Sequence, residues 1–254
     1  MPTTIGLIAA MPEEIKPLLA RVGMYARETA GDFTLYRFRA GSRDACLVES
    51  GLGPEKAARA TATLIATVAP DFVINFGLAG AVTPGLGIGD VVIAQRLLFA
   101  RERLFSEQQG LSPELAGTAI GLLQSKLAGT SFQVCRGTCV TAGTILAKRD
   151  TARLLPAGVV NPVLEMETAA VAKIAAREGI PLLAVRAISD DAAEELEFNI
   201  TDFTDRNMNI RVHRVLWSLT RRPWLIPQLV RLARNSKQAG ETLARVVEVL
   251  LAEL

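Results

Sequence analysis

The sequence predicts a layered α/β domain with helices laid over a largely parallel sheet, and two observations carry that expectation. Strand-like and helix-like stretches alternate along residues 1–190, the order in which helices cover the faces of a sheet. The 254 residues are 50% hydrophobic and 21% charged, a globular balance that excludes disordered, collagenous and low-complexity chains. A chain of this size buries roughly 70% of its unfolded surface, enough for a core without disulfides or a structural metal. A single domain over residues 1–254 is expected, with a helical basic insertion at about 206–234.

Ile5 to Ala10 reads as a buried strand. Pro12 then pre-sets a helical turn, and Glu13 and Glu14 supply the acidic start that a helix N-terminus favours. Pro17 is expected just inside the region where no helical donor is missed. Thr34 to Arg39 and Ala45 to Glu49 read as a hairpin closed through Ala40-Gly-Ser42, which makes the sheet mixed. Gly51-Leu-Gly-Pro54 opens an alanine-rich helix, Glu55 to Thr67, which Pro70 stops.

Asp71 to Phe76 is the next buried strand and runs into Gly77-Leu-Ala-Gly80. Missing side chains there let backbone donors approach a ligand, although a tight strand exit explains the same residues equally well. Pro84-Gly-Leu-Gly-Ile-Gly-Asp90 has part of a dinucleotide fingerprint, but strand-like Val91 to Ala94 follows instead of a helix, so the Rossmann reading fails. Pro162 to Leu164, a helix over Thr168 to Arg177 and a strand over Leu182 to Ile188 complete the alternation. Lys237 to Leu254 has the apolar spacing of a helix that closes on the core.

Several function classes drop out. The uncharged run from Phe72 is interrupted by glycines and a proline and is no membrane span. The opening residues lack a basic region and meet acids at once, so no secretion signal is read and the cytoplasm is the expected compartment. Cys46, Cys135 and Cys139 are irregularly spaced beside a single histidine, His213, which argues for reduced thiols and against a zinc site. No metal or organic cofactor is expected. With one histidine, acid–base chemistry falls mostly to carboxylates.

Glu14, the pair Glu165/Glu167, and Asp190 fall at or just beyond predicted strand ends, the edge where open α/β sheets bind ligands. A carboxyl group held among apolar strand ends can deliver a proton, while an ionised one orients water or binds hydroxyls. Cleavage of a sugar from its base needs both, because positive charge grows on the sugar and negative charge on the departing base.

Ile5-Gly-Leu-Ile-Ala-Ala-Met-Pro-Glu-Glu14, Asn75-Phe-Gly-Leu-Ala-Gly80, Glu165-Met-Glu167 and Arg186-Ala-Ile-Ser-Asp190 together resemble the nucleoside phosphorylase superfamily, most of all its methylthioadenosine/S-adenosylhomocysteine nucleosidases. The resemblance implies a three-layer αβα sandwich with a central mixed sheet, and an enzyme that cleaves a purine nucleoside as a homodimer. By the same resemblance Asp190 protonates the imidazole ring of the purine with help from Ser189. Glu14 holds the attacking water with Arg186 helping to orient it, a buried ion pair being the other explanation of Arg186. Glu167 accepts two ribose hydroxyls and Met166 packs on the sugar. Ala79 and Gly80 offer backbone contacts, and Thr144 and Ile145 read the adenine edge.

The departures bear on substrate. Leu78 stands where the nucleosidases have serine, and a small residue, Thr144, replaces the aromatic that stacks on the base. The family's phosphorylases carry arginine and serine for phosphate where this chain has Asn75 and Leu78, so water is favoured as nucleophile. A phosphorolytic enzyme is the alternative, and a nucleoside-binding or membrane-peripheral protein without catalysis is a third reading.

From Arg211 onward there are 8 basic and 3 acidic residues, against 20 and 23 before it. His213 to Arg234 interleaves both tryptophans and aliphatic residues with five arginines, broken into two pieces at Pro223 and Pro227. It reads as a helical insertion packing on protein, with peripheral membrane contact through 213–234 as the rival. Nucleic acid ranks lower, since no continuous basic face is present elsewhere. This tail resembles that of a related branch linked to hopanoid synthesis, which removes adenine from a lipid-linked adenosine.

Overall fold

The computed structural model describes residues 3–101, 104–143, 146–194 and 226–254. Within them ten strands form one mixed sheet. The first half holds β1 (Thr4–Ala9), β2 (Ala26–Ala30), β3 (Phe33–Ala40), β4 (Arg43–Glu49) and β5 (Phe72–Ala81). The second holds β6 (Val91–Arg101), β7 (Leu104–Gln108), β8 (Val134–Ala142), β9 (Pro162–Glu165) and β10 (Leu182–Asp190). The helices are α1 (Pro12–Val22), α2 (Pro54–Val68), α3 (Pro113–Lys126), α4 (Lys148–Leu154), α5 (Thr168–Arg177) and α6 (Ile226–Glu253).

Alternation along each strand sorts the core into two layers. Ile5, Leu7 and Ala9 of β1, Phe72, Ile74 and Phe76 of β5, and Leu183, Val185 and Ala187 of β10 pack against α1, α3 and α6. Ile8, Val73, Leu182, Ala184 and Ile188 face the small residues Ala57 and Ala60 of α2 and Ala172 and Ala175 of α5. A period of two on the strands thus buries both faces under helices, the architecture the resemblance implies.

The predicted hairpin is β3–β4, antiparallel, with Ala40 opposite Arg43. Beyond β5 the sheet closes on itself, which the sequence did not reveal. Parallel β10 and antiparallel β9 both pair with β5, and β6 and β8 complete the ring between them. The predicted strand over Val91 to Ala94 continues to Arg101 and turns back as β7.

Two local expectations are corrected. Pro17 is the sixth residue of α1 and sits inside the helix, so the Glu13 carbonyl is without its helical donor. The basic segment is not broken at Pro227. Residues 206–225 lie outside the described residues, and 226–234 form the first turns of α6, which runs unbroken into the closing helix predicted from Lys237. Pro227 lies within the described span of α6 and does not interrupt it.

Candidate active site

The site residues gather around the carboxyl end of β5. Glu14 lies in the first turn of α1 and is buried. Its Oε2 accepts the amides of Ala10 at 2.7 Å and Met11 at 3.0 Å, and its Oε1 accepts the amide of Leu78 at 2.9 Å. A carboxylate has about four lone-pair positions; among the described residues three are filled, and the one left is on Oε1. Burial pushes the Glu14 carboxyl above its ordinary value, against the pull of those amides and of the Arg186 charge.

The two glutamates of Glu165-Met-Glu167 have different standing. Glu165 ends β9 and is tied to the scaffold by four hydrogen bonds, one of them from a cation. Its Oε1 takes the hydroxyl of Thr141, while Oε2 takes the amides of Glu167 at 3.0 Å and Thr168 at 2.8 Å and the Arg186 guanidinium at 3.0 Å. Burial alone would raise its pKa, but the Arg186 charge and the hydroxyls of Thr141 and Thr168 hold it below the usual value.

Among the described residues Glu167, at the start of α5, accepts only the amide of Gly53 at 2.8 Å on Oε1 and that of Met166 at 3.2 Å on Oε2, so each oxygen keeps an acceptor position there. Burial, then repulsion from Glu165 and Glu14, pushes its carboxyl up to about 8. Gly51-Leu-Gly-Pro54 therefore does more than open α2: the Gly53 amide fixes Glu167.

Arg186 is 2% exposed. Its Nη1 donates to the carbonyls of Asn75 at 3.1 Å and Val185 at 2.8 Å, and Nη2 donates to Thr168 Oγ1 at 2.6 Å, to Glu165 and to the side chain of Asn75. The ion-pair explanation of Arg186 is thus realised, with Glu165. It acts on Glu14 through its charge.

Asp190 is aimed by an irregularity in β10. Ile188 pairs with Ala79 and Asp190 with Gly80, so Ser189 is an extra residue in the ladder. Ser189 Oγ donates to Asp190 Oδ1 at 2.7 Å and to the Ala79 carbonyl at 3.4 Å. Lys148, from α4, forms an ion pair with Asp190 Oδ2. The sequence reading missed it, 42 residues away and three positions after Ile145, which with Thr144 lies outside the described residues.

Glycines make room for both acids. A side-chain carbon on Gly77 would stand 2.9 Å from Glu14 Oε1, and one on Gly80 would stand 2.5 Å from Asp190 Oδ2. Three residues of strand separate these points, about 10 Å. Met166 is partly buried beside Glu167. Glu14 and Asp190 thus lie against two points near the end of β5, Glu167 is near enough to Glu14 to feel its charge, and Arg186 neutralises Glu165.

Carboxylates with unfilled acceptor positions at the carboxyl edge of a helix-covered mixed sheet define an α/β enzyme suited to cleaving a glycosidic bond. The phosphorylase superfamily model matches residues 4–221. A methylthioadenosine/S-adenosylhomocysteine nucleosidase of Listeria monocytogenes is 30% identical over 213 residues, covering 79% of this chain and 91% of that protein. The solved S-adenosylhomocysteine nucleosidase of Streptococcus pyogenes superposes with a TM-score of 0.73 at 25% identity, over 100% of this chain and 98% of the other. The futalosine hydrolase of Helicobacter pylori, at 18% identity, 99% and 98% coverage and a TM-score of 0.73, shares the fold. The chain belongs to the phosphorylase superfamily and, within it, to the nucleosidase enzymes.

Proposed function

We propose that the protein hydrolyses the bond between ribose and adenine in nucleosides like methylthioadenosine and S-adenosylhomocysteine. The observation that carries this reading is the single acceptor position left, among the described residues, on Glu14 Oε1, which stands against Gly77 of β5 while Asp190 stands against Gly80 of the same strand. A water donating to that position is held and polarised for attack on C1′. As the C1′–N9 bond breaks, its electron pair moves onto the purine, and Asp190, steadied by Ser189, delivers a proton to N7. The water oxygen bonds to C1′ and its proton passes to Glu14.

Glu167 has one acceptor position on each oxygen, the complement of two ribose hydroxyls. Met166 packs on the sugar, and the backbones of Ala79 and Gly80 line the cleft. Thr144 and Ile145 read the adenine edge. Arg186 assists Glu14 through its charge and keeps Glu165 ionised.

Water is favoured over phosphate because the cation and the amide that a dianion would need are already committed, Arg186 to Glu165 and the Leu78 amide to Glu14. The test is to incubate the purified protein with methylthioadenosine, with and without phosphate, and identify products by mass spectrometry. Adenine and methylthioribose in both samples are expected. Adenine released only with phosphate, together with a sugar 1-phosphate, would overturn the reading.

A second reading, action on a lipid-linked adenosine, draws on the start of α6. Ile226 and Val230, four residues apart, are 46% and 63% exposed on the same helix as Arg234, while Arg231 is paired with Glu194. Such a face suits an anionic lipid surface. Co-sedimentation with anionic vesicles, lost on Ile226→Ser/Val230→Ser, tests it; equal, negligible binding by both proteins rejects it. Among the described residues no helix is long and apolar enough to cross a membrane. We place the enzyme in the cytoplasm as a homodimer, with residues 1–254 as one domain.

A further inference from the structure

Lys148 is the charged group nearest the proposed acid, and the proton transfer described above makes no use of it. It is 7% exposed, an unusual degree of burial for a lysine. Its Nζ meets Asp190 Oδ2 as an ion pair and donates to the carbonyl oxygens of Asp191 at 2.6 Å and Asp190 at 3.3 Å. All three ammonium protons are thereby directed at the end of β10. Gly80 keeps the space open, since a side-chain carbon there would stand 2.8 Å from Lys148 Cε and 3.1 Å from Nζ.

The pairing has a chemical consequence. An ammonium is a donor with no acceptor position and a carboxylate oxygen is an acceptor, so the contact between Nζ and Oδ2 is a path along which a proton can pass to Asp190. We infer that Lys148 is the positioning residue of the acid: its ammonium fixes the Asp190 carboxylate against the end of β5 and stores the proton that Asp190 hands to the departing base. The inference rests on the reading of Asp190 as proton donor.

When the C1′–N9 pair of electrons moves onto the purine, its imidazole nitrogens become much stronger bases than in the intact nucleoside. One proton moves from Nζ to the Asp190 carboxylate and one from Asp190 to N7, leaving a neutral amine and a carboxylate. The attacking water gives its hydroxide to C1′ and its proton to Glu14. After product release, exchange with solvent returns that proton to the amine, so one water is divided between sugar and base.

The experiment uses two substrates and three variants. Methylthioadenosine needs its leaving group protonated; the nitrophenyl glycoside of methylthioribose does not, because the phenolate departs as an anion. For Lys148→Met, kcat on methylthioadenosine is expected to fall about 100-fold, within the range general acid assistance supplies. KM, and kcat on the nitrophenyl glycoside, should stay within about threefold. Asp190→Asn should show the same selectivity, and the double variant should be no slower than the slower single, as residues acting in one relay are not additive. A parallel loss on both substrates, or no loss on either, for Lys148→Met overturns the inference while Asp190 stands. If Asp190→Asn itself leaves adenine release intact, the donor assignment fails and the inference with it.

Discussion

A side-chain carbon on Gly77 would lie 2.9 Å from Glu14 Oε1 and 3.3 Å from Cδ. That oxygen is pinned by the Leu78 amide, and its partner by two more amides, so the carboxylate cannot swing aside without losing a charge-assisted hydrogen bond. Gly77→Ala is therefore expected to cost about 1–3 kcal/mol of stability. It should also slow adenine release on the order of a hundredfold, since a shift of about 1 Å at a reacting group has that effect. Denaturant unfolding and steady-state kinetics measure the two effects. An active Gly77→Ala protein would mean that Oε1 does not hold the water.

The Glu167 carboxyl is pushed from 4.5 up to about 8 by burial and by its acidic neighbours. The folded protein then binds a proton that the unfolded chain releases above 4.5. The stability from this group is fully present below pH 4.5 and is lost as pH rises through 8. Thermal midpoints should accordingly fall from about pH 5 to about pH 9, and Glu167→Gln should flatten that slope. Ribose hydroxyls donate best to the ionised carboxylate, so a substrate analogue binding near neutral pH should release a proton. Calorimetry in buffers of different ionisation enthalpy reads this release directly, and a value of zero would separate Glu167 from the sugar.

Arg186 and Glu165 are 2% and 1% exposed at their side chains, and each is the other's only opposite charge among their described hydrogen-bond partners. Removing one partner leaves a buried charge uncompensated, so Arg186→Leu is expected to cost about 3–5 kcal/mol. The double variant Arg186→Leu/Glu165→Leu should be less destabilised than Arg186→Leu alone, because neither charge remains to be desolvated. Equal losses in the two proteins would show that packing around Arg186, and not its charge, matters.

How much of this was legible in the sequence follows from the range of the interactions. The β1–turn–α1 unit and the helix Thr168–Arg177 are written in local periodicity and in proline and acid placement, and Glu14, Glu167 and Asp190 were singled out because each stands near a strand end and within a motif of the resemblance. Gly53 and Lys148 were not, because what they do depends on partners 114 and 42 residues away. Glu167 was chosen over Glu165 by the resemblance, and the reason Glu165 is engaged elsewhere, its pairing with Arg186, lies 21 residues along the chain. The closure of the sheet through β9 rests on a four-residue strand, too short to carry a pattern. Pro227 misled because a proline reads as a helix break from the sequence alone, while α6 carries it within its described span.

Gly240 of α6 lies against the start of α1. A side-chain carbon there would stand 2.7 Å from the carbonyl oxygen of Glu13 and 3.6 Å from Pro17 Cγ. Pro17 has no N–H to give that carbonyl, so the helical hydrogen bond is missing where α6 comes closest, next to Glu14. Alanine in place of a mid-helix glycine normally gains about 1 kcal/mol, but here the obstacle is main chain that can yield only by moving the start of α1. Gly240→Ala is therefore expected to be destabilising by about 1–3 kcal/mol and to lower kcat, because Glu14 moves with α1. Gly121 of α3 is exposed, and a side-chain carbon on it would meet nothing within 4 Å, so Gly121→Ala should gain the full propensity of about 1 kcal/mol with kinetics unchanged. If both alanines stabilise alike, the contact between α6 and α1 is looser than 2.7 Å implies, and Glu14 is held by its three amides alone.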